Sequence, residues 1–194
     1  AISSCDIIET FPKAADDIVK LTYAAHIIDI IYDTVQEDQY AAKELRLLLN
    51  TLHFLFNSDK SPDLITCIFE IRYLSLLGYA PYVKGCTNCN EGDINNIYFS
   101  FKKCGFLCNK NECLSEDSLA VKLLPGTVKA LYHIVYSEIK NLFNFSVSKE
   151  VLEQLRSISS RYLKERLDKA YNNLSFLKKL RATGLDIKTN NFGL

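Results

Sequence analysis

The chain has 194 residues, 48% of them hydrophobic, with 23 basic residues balanced by 23 acidic ones. That length and apolar content suit one well-buried domain with at most a small appendage, and zero net charge lacks the basic excess of a dedicated nucleic-acid binder. No apolar run approaches the ~20 residues needed to span a bilayer, and Ala1-Ile-Ser-Ser-Cys5 has neither the basic nor the apolar region of a secretory signal.

The pattern along the chain is helical, interrupted once. Within residues 13–35, Ile18, Leu21, Ala25 and Ile28 recur at helical spacing. Isoleucines at 27, 28, 30 and 31 widen that stripe, so burial on more than one side is expected. A second helix is predicted from Asp38 to Phe56, with Leu45, Leu48, Leu52 and Leu55 on one face. The third has a clear start: Ser61 can cap, Pro62 fits the first helical position, and Asp63 complements the dipole. Apolar residues surround it up to Gly78, a left-handed terminator, which places it at the centre of a bundle.

Residues 80–117 differ in composition, being rich in glycine, asparagine and cysteine. Ile97-Tyr-Phe-Ser-Phe101 reads as a strand, with a shorter partner at Gly105-Phe-Leu107. Helices then resume at Pro125-Gly126-Thr127, with Val128, Leu131, Val135 and Leu142 on one face. Ser148 can cap a last helix carrying Val151, Leu155, Ile158 and Tyr162, with a break near Asp168 and an end near Leu180. The expected fold is mainly α. A helical bundle is formed by residues 1–79 and 118–194, with a small zinc-binding β ribbon inserted at 80–117.

The cysteines carry the strongest chemical signal. Cys86-Thr-Asn-Cys89 is followed, after eighteen residues, by Cys108-Asn-Lys-Asn-Glu-Cys113. Two close pairs at such a distance form the pattern of a four-thiolate zinc site. A short gap bends the backbone so that both sulfurs reach one ion, and two such bends complete a tetrahedron at about 2.3 Å per bond. Cys104 can replace Cys108 or Cys113 as a ligand. Four thiolates close the coordination sphere, so the zinc is expected to be structural. The His-x-Glu of zinc deaminases is absent, and no histidine lies between Cys86 and Cys113. Seven cysteines would leave one unpaired in a secreted protein; four on zinc and three as thiols imply a reducing cytoplasm.

The central segment is more specific still. Phe69-Glu-Ile-Arg-Tyr-Leu-Ser-Leu-Leu-Gly-Tyr-Ala-Pro81 leads into Cys86-x2-Cys89. Tyr98-Phe-Ser100 precedes Gly105-Phe-Leu-Cys108, and Leu124-Pro-Gly-Thr127 opens the next helix. This order resembles the C-terminal region of the RecO family of bacterial recombination mediators. Ile7-Ile-Glu-Thr-Phe11, the Tyr23-Ala-Ala-His-Ile-Ile-Asp29 helix and Arg161-Tyr-Leu163 with Phe176-Leu177 are similar to it as well. The resemblance implies an N-terminal oligonucleotide-binding barrel ahead of Ala1, consistent with the absence of methionine even at position 1. It further implies binding of single- and double-stranded DNA, strand annealing, loading of the recombinase RecA, partnership with RecR, recognition of the tail of the single-stranded DNA-binding protein, and no covalent chemistry. The chain departs from the family's pattern in three places. Its second cysteine pair has four intervening residues instead of two, Cys104 stands where glycine is frequent, and Asn172-Asn173 stands where many members have Lys-Ser, so no family DNA contact is carried over there.

Residues 1–50 hold nine acids and four bases, and residues 161–194 eight bases and three acids. The basic end makes Lys164, Arg166, Lys169, Lys178, Lys179 and Arg181 candidate phosphate contacts. Tyr162, Tyr171 and Phe176 are interleaved with them and are expected to pack inward. Lys84, Lys102, Lys103 and Lys110 form a second, acid-diluted group. His26, His53 and His133 stand apart on helices and receive no catalytic role. Arg72, in an apolar helix, needs a partner from another element, expected to be an ion pair. The leading function is a RecO-type mediator; the rivals are a zinc-stabilised helical adaptor that contacts only proteins and a small zinc-dependent enzyme.

Overall fold

The computed structural model describes residues 17–38, 40–91 and 96–175. Its first element is α1 (Ile18–Thr34), whose end is set by Asp17. The Asp17 carboxylate accepts from the Val19 and Lys20 amides at 3.0 and 2.9 Å, meeting donors that have no partner within the helix. α2 (Ala42–Asn57) and α3 (Pro62–Leu76) follow. Pro62 opens α3 and Gly78 lies past its end at φ +90, as the sequence predicts. α3 is the central helix, buried through residues 64–71 and again at Tyr73 and Leu74. It packs against α1, α2, α5 (Pro125–Tyr136) and α6 (Lys149–Leu167).

Two predicted faces are out of phase with the fold. On α1 the core side is Tyr23, Ala24, His26, Ile27 and Ile30, whereas Ile18 is 52% exposed and Ile28 48%. The helix is apolar on two sides, so periodicity alone offers two equivalent stripes, and packing on α2 and α3 selects one. On α2 the buried positions are Leu47, Thr51, Leu55 and Phe56, with Leu48 and Leu52 at the margin and Leu45 in solvent. A run of leucines at 45, 47, 48 and 49 permits adjacent phases. The α5 and α6 stripes are buried as predicted: Val128, Leu131, Val135 and Leu142; Val151, Leu155, Ile158 and Tyr162. α5 nevertheless stops at Tyr136, and Leu142 reaches the core from beyond the short 3-10 turn Ile139–Asn141. Ser148 caps α6, and Asp168 ends it in the left-handed region.

Among the described residues Arg72 finds no carboxylate. Its guanidinium instead donates to the carbonyls of Ile134, Val135 and Ser137 at the C-terminal end of α5. Helix-end carbonyls without intrahelical partners carry partial negative charge, so they serve where an ion pair was expected.

Among the described residues the small sheet has four strands, two more than the pair expected from the sequence, and its last strand lies beyond residue 117. β1 (Tyr82–Cys86), β2 (Ile97–Ser100), β3 (Gly105–Cys108) and β4 (Val121–Lys122) lie in the order β1-β3-β2-β4. β2 is antiparallel to β3 and β4, with Phe99 opposite Phe106, and β1 runs parallel to β3. Val83, Ile97, Phe99, Phe101 and Phe106 join the main helical core, where Phe99 meets Tyr162 of α6 edge-on at 5.6 Å. The sheet thus shares its inner half with the bundle. Only Cys86, Leu107, Cys108 and Cys113, with a few partly buried neighbours, form a separate cluster.

Candidate metal centre and cationic faces

The sulfurs of Cys86, Cys89, Cys108 and Cys113 all lie within 4.8 Å of one another. In a tetrahedron with metal–sulfur bonds of about 2.3 Å, sulfurs sit about 3.8 Å apart; Cys89 and Cys108 are 3.5 Å apart. All four are free thiols, three of them buried. The set fits a metal ion, and it leaves no ligand position for an activated water.

Local structure explains how each sulfur arrives. β1 delivers Cys86 into a tight turn closed by the Asn90 amide on the Cys86 carbonyl at 2.8 Å, with Asn90 at φ 59. Gly85 is required beside it, because a Cβ there would lie 2.8 Å from the Asn90 carbonyl oxygen. β3 delivers Cys108. The four-residue gap that follows holds a one-turn helix, α4 (Asn111–Leu114), which raises Cys113 toward the other three. The Cys113 amide closes that turn on the Lys110 carbonyl at 2.9 Å. Asn88 donates to the Cys113 sulfur at 3.6 Å.

The electrostatics favour an ion. Burial raises the Cys86 thiol, yet amide donors from Cys89, Cys108 and Asn88 outweigh it and bring the group to about 6. Burial and the neighbouring thiols push Cys113 up to about 12, and burial raises Cys108. Crowded thiols cannot all ionise unaided; a central cation removes that conflict.

Cys104 lies outside this set. It stands at φ 54, a conformation that favours glycine, and packs on the helical core. Its sulfur accepts from Arg166 Nη1 at 3.0 Å. A second Arg166 nitrogen faces the Phe101 carbonyl at 3.5 Å, so this arginine ties α6 to the sheet.

The other candidate cations divide by their engagement. Lys169 pairs with Asp33 of α1 and holds that carboxyl below its ordinary value. Lys164 is exposed and makes no ion pair among the described residues. Lys178, Lys179 and Arg181, with Phe176, lie outside the described residues. In the second group, Lys103 pairs with Glu116 at 2.8 Å, Lys110 with Glu91, Lys102 donates to the Glu116 carbonyl at 3.0 Å, and Lys84 sits 5.0 Å from the Tyr136 ring centroid. Tyr162 is fully buried and donates to the Tyr79 carbonyl at 3.2 Å. His53 lies in solvent on α2, His133 faces the Asn141 carbonyl at 3.0 Å, and His26 is buried against Glu70 at 2.9 Å.

Periodicity did not reveal a cavity of about 650 Å³ bounded by α1, α3, α6 and residues 169–175, along which Lys164, Lys169 and Arg156 lie. Arg156 pairs with Asp63 at 3.4 Å. The signal that could have found it is the Ser157-Ile-Ser-Ser160 stretch of α6, whose three serines line it.

Comparison with known proteins supplies a family. Residues 15–175 match the family model described as Recombination protein O C terminal. The DNA repair protein RecO of Acetivibrio thermocellus is 49% identical over 179 residues, covering 92% of this chain and 70% of that protein. The DNA repair protein RecO of Caldicellulosiruptor saccharolyticus is 30% identical over 178 residues, covering 92% and 71%.

Proposed function

This chain belongs to the RecO family of DNA repair proteins, and on that premise we propose that it acts as a recombination mediator that binds and assembles without covalent chemistry. Its partners are single- and double-stranded DNA, RecR and the tail of the single-stranded DNA-binding protein. Its output is strand annealing and recombinase loading in the cytoplasm, at the nucleoid. The observation that carries this reading is the family match across nearly the whole chain.

In this reading Cys86, Cys89, Cys108 and Cys113 hold one structural zinc. A soft, closed thiolate shell is chemistry suited to that ion, and it argues against the zinc-enzyme rival. DNA phosphates are met by Lys164, Lys169, Lys178, Lys179 and Arg181, with Arg166 setting the sheet against the helix that carries them.

The test is titration of the full chain with single-stranded DNA over a range of salt. Affinity should fall steeply as salt rises. Substituting Lys164, Lys178 and Lys179 together by alanine should weaken binding and flatten the logarithmic salt slope by about 0.7 per lost contact. Salt-independent binding, or none, would leave the protein-only adaptor as the better account.

A further inference from the structure

We infer that the outer face of α5, with Lys84 of β1 beside it, is a stacking platform for single-stranded DNA. This rests on the DNA-binding reading above and adds a contact on a different element from the lysines of α6.

The rings adjoin. Lys129, Tyr132 and Tyr136 are exposed at i, i+3 and i+7 and so share one face of α5. Tyr132 is 49% exposed and Tyr136 42%, and their ring centroids lie 5.1 Å apart. The buried tyrosines use their hydroxyls: Tyr23 donates to Asp63, and Tyr162 to the Tyr79 carbonyl. Among the described residues the hydroxyls of Tyr132 and Tyr136 have no partner. Single exposed apolar side chains are ordinary, but here two touch each other.

Cations bracket the pair. The Lys84 ammonium lies 5.0 Å from the Tyr136 centroid at one end, and Lys129 stands a turn before Tyr132 at the other. Both lysines are exposed, and neither pairs with a carboxylate among the described residues. Neither α5 nor β1 carries an acidic residue, and Glu138, just past the helix, is matched by Lys140 at 2.8 Å. Exposure alone does not make such a face. Tyr32 is 84% exposed, but Asp29 lies a turn before it on α1, where its charge opposes phosphate.

Flat rings between positive charges select a ligand that alternates flat apolar groups with anions. A purely acidic peptide would use the lysines and leave the rings idle. A sugar would use the rings and leave the lysines idle. A duplex hides its base faces inside its own stack. A single strand offers both, base against ring and phosphate against ammonium.

The test uses the full chain with oligothymidylate. Tyr132→Ala should weaken binding by about tenfold, while Tyr132→Phe leaves it unchanged because the hydroxyl has no partner. The position is exposed, so the melting temperature should stay put in both variants. Tyr132→Ala should not alter affinity for an abasic backbone of equal length or for a blunt duplex. Lys84→Ala and Lys129→Ala should each flatten the logarithmic salt slope by about 0.7, on the abasic strand as well. The chain contains no tryptophan, so Tyr132→Trp supplies a single reporter whose emission the bound strand should quench. If oligothymidylate binds in a salt-dependent way, but Tyr132→Ala and Tyr136→Ala bind it as wild type does and the emission stays unchanged, the platform fails and the DNA reading survives. If duplex affinity falls together with single-strand affinity, the rings are not meeting bases and the inference is overturned. If no strand binds, both fail. If an acidic peptide with apolar residues quenches the emission and the strand does not, the face belongs to a protein partner and the inference is overturned.

Discussion

The helical body and the outer half of the sheet differ in what they offer to hold them together. Around α3 the body buries a continuous apolar core to which every other long helix contributes. The outer half of the sheet offers Leu107 and four thiols, with Tyr98, Leu114 and Ala120 at the edge. Hydrophobic burial is distributed over many contacts, so no single group in the body decides its fate. A coordination sphere is concentrated at one point, and losing one ligand loses most of it. Between the two lies the inner half of the sheet, where Phe99 and Phe106 belong to the body although their strands lead to the thiols.

The most severe test of this contrast is metal removal. Chelation, or Cys86→Ser, should abolish tight binding of the ion, a loss of about 10 kcal/mol of apparent ligand-linked free energy in small thiolate sites. Hydrogen exchange and proteolysis should then accelerate around Cys86, Cys89 and Cys113, while amides at Phe99 and Phe106 and the helical circular dichroism stay close to wild type. Uniform loosening of the whole chain would show that the two regions are one.

A second test attacks the body. Ile68 is fully buried on the central helix, and Ile68→Ala should cost about 2–5 kcal/mol. Denaturant unfolding should shift for all probes together, with metal content unchanged in the folded state. Release of the ion ahead of unfolding would break the comparison from the other side.

The gentlest test sits at the seam. The Asp117 carboxylate accepts from the Ser100 hydroxyl at 2.6 Å and from the Leu119 amide at 3.0 Å, and the hydroxyl is the main cause holding that carboxyl below its ordinary 3.8. A folded value below the unfolded one means the stabilisation is complete above about pH 4 and is lost as pH falls through the folded value. Asp117→Asn should therefore cost on the order of 1 kcal/mol at neutral pH, shrinking in melts at successively lower pH as that carboxyl becomes protonated in the folded state. A constant difference at every pH would place its origin elsewhere.

Much of this arrangement is visible in the residues themselves. Pro62 and Gly78 bracket α3 because the conformational preferences of proline and glycine are local, although Ser61 holds the N-cap position without a side-chain hydrogen bond; the thiol pairs announce their meeting because ligand spacing is local too. What was hidden depended on partners. The two apolar sides of α1 are equal until α2 and α3 choose between them. The short strands β1 and β4 have little pattern of their own and exist because β3 and β2 offer edges. Cys104 looked interchangeable with the other cysteines in sequence, yet a left-handed backbone and Arg166 direct it away from them. The His26–Glu70 pair joins residues forty-four positions apart, a distance over which spacing carries no information.

The reach of Arg72 across to the end of α5 has a mechanical consequence. One planar fork seated on the carbonyls of Ile134, Val135 and Ser137 acts as a dowel between two rods. Sliding α5 by a single turn, ~5.4 Å, would pull every tooth of that fork from its socket at once. β1 abuts α5, so the same fork joins the flank of the sheet to the central helix.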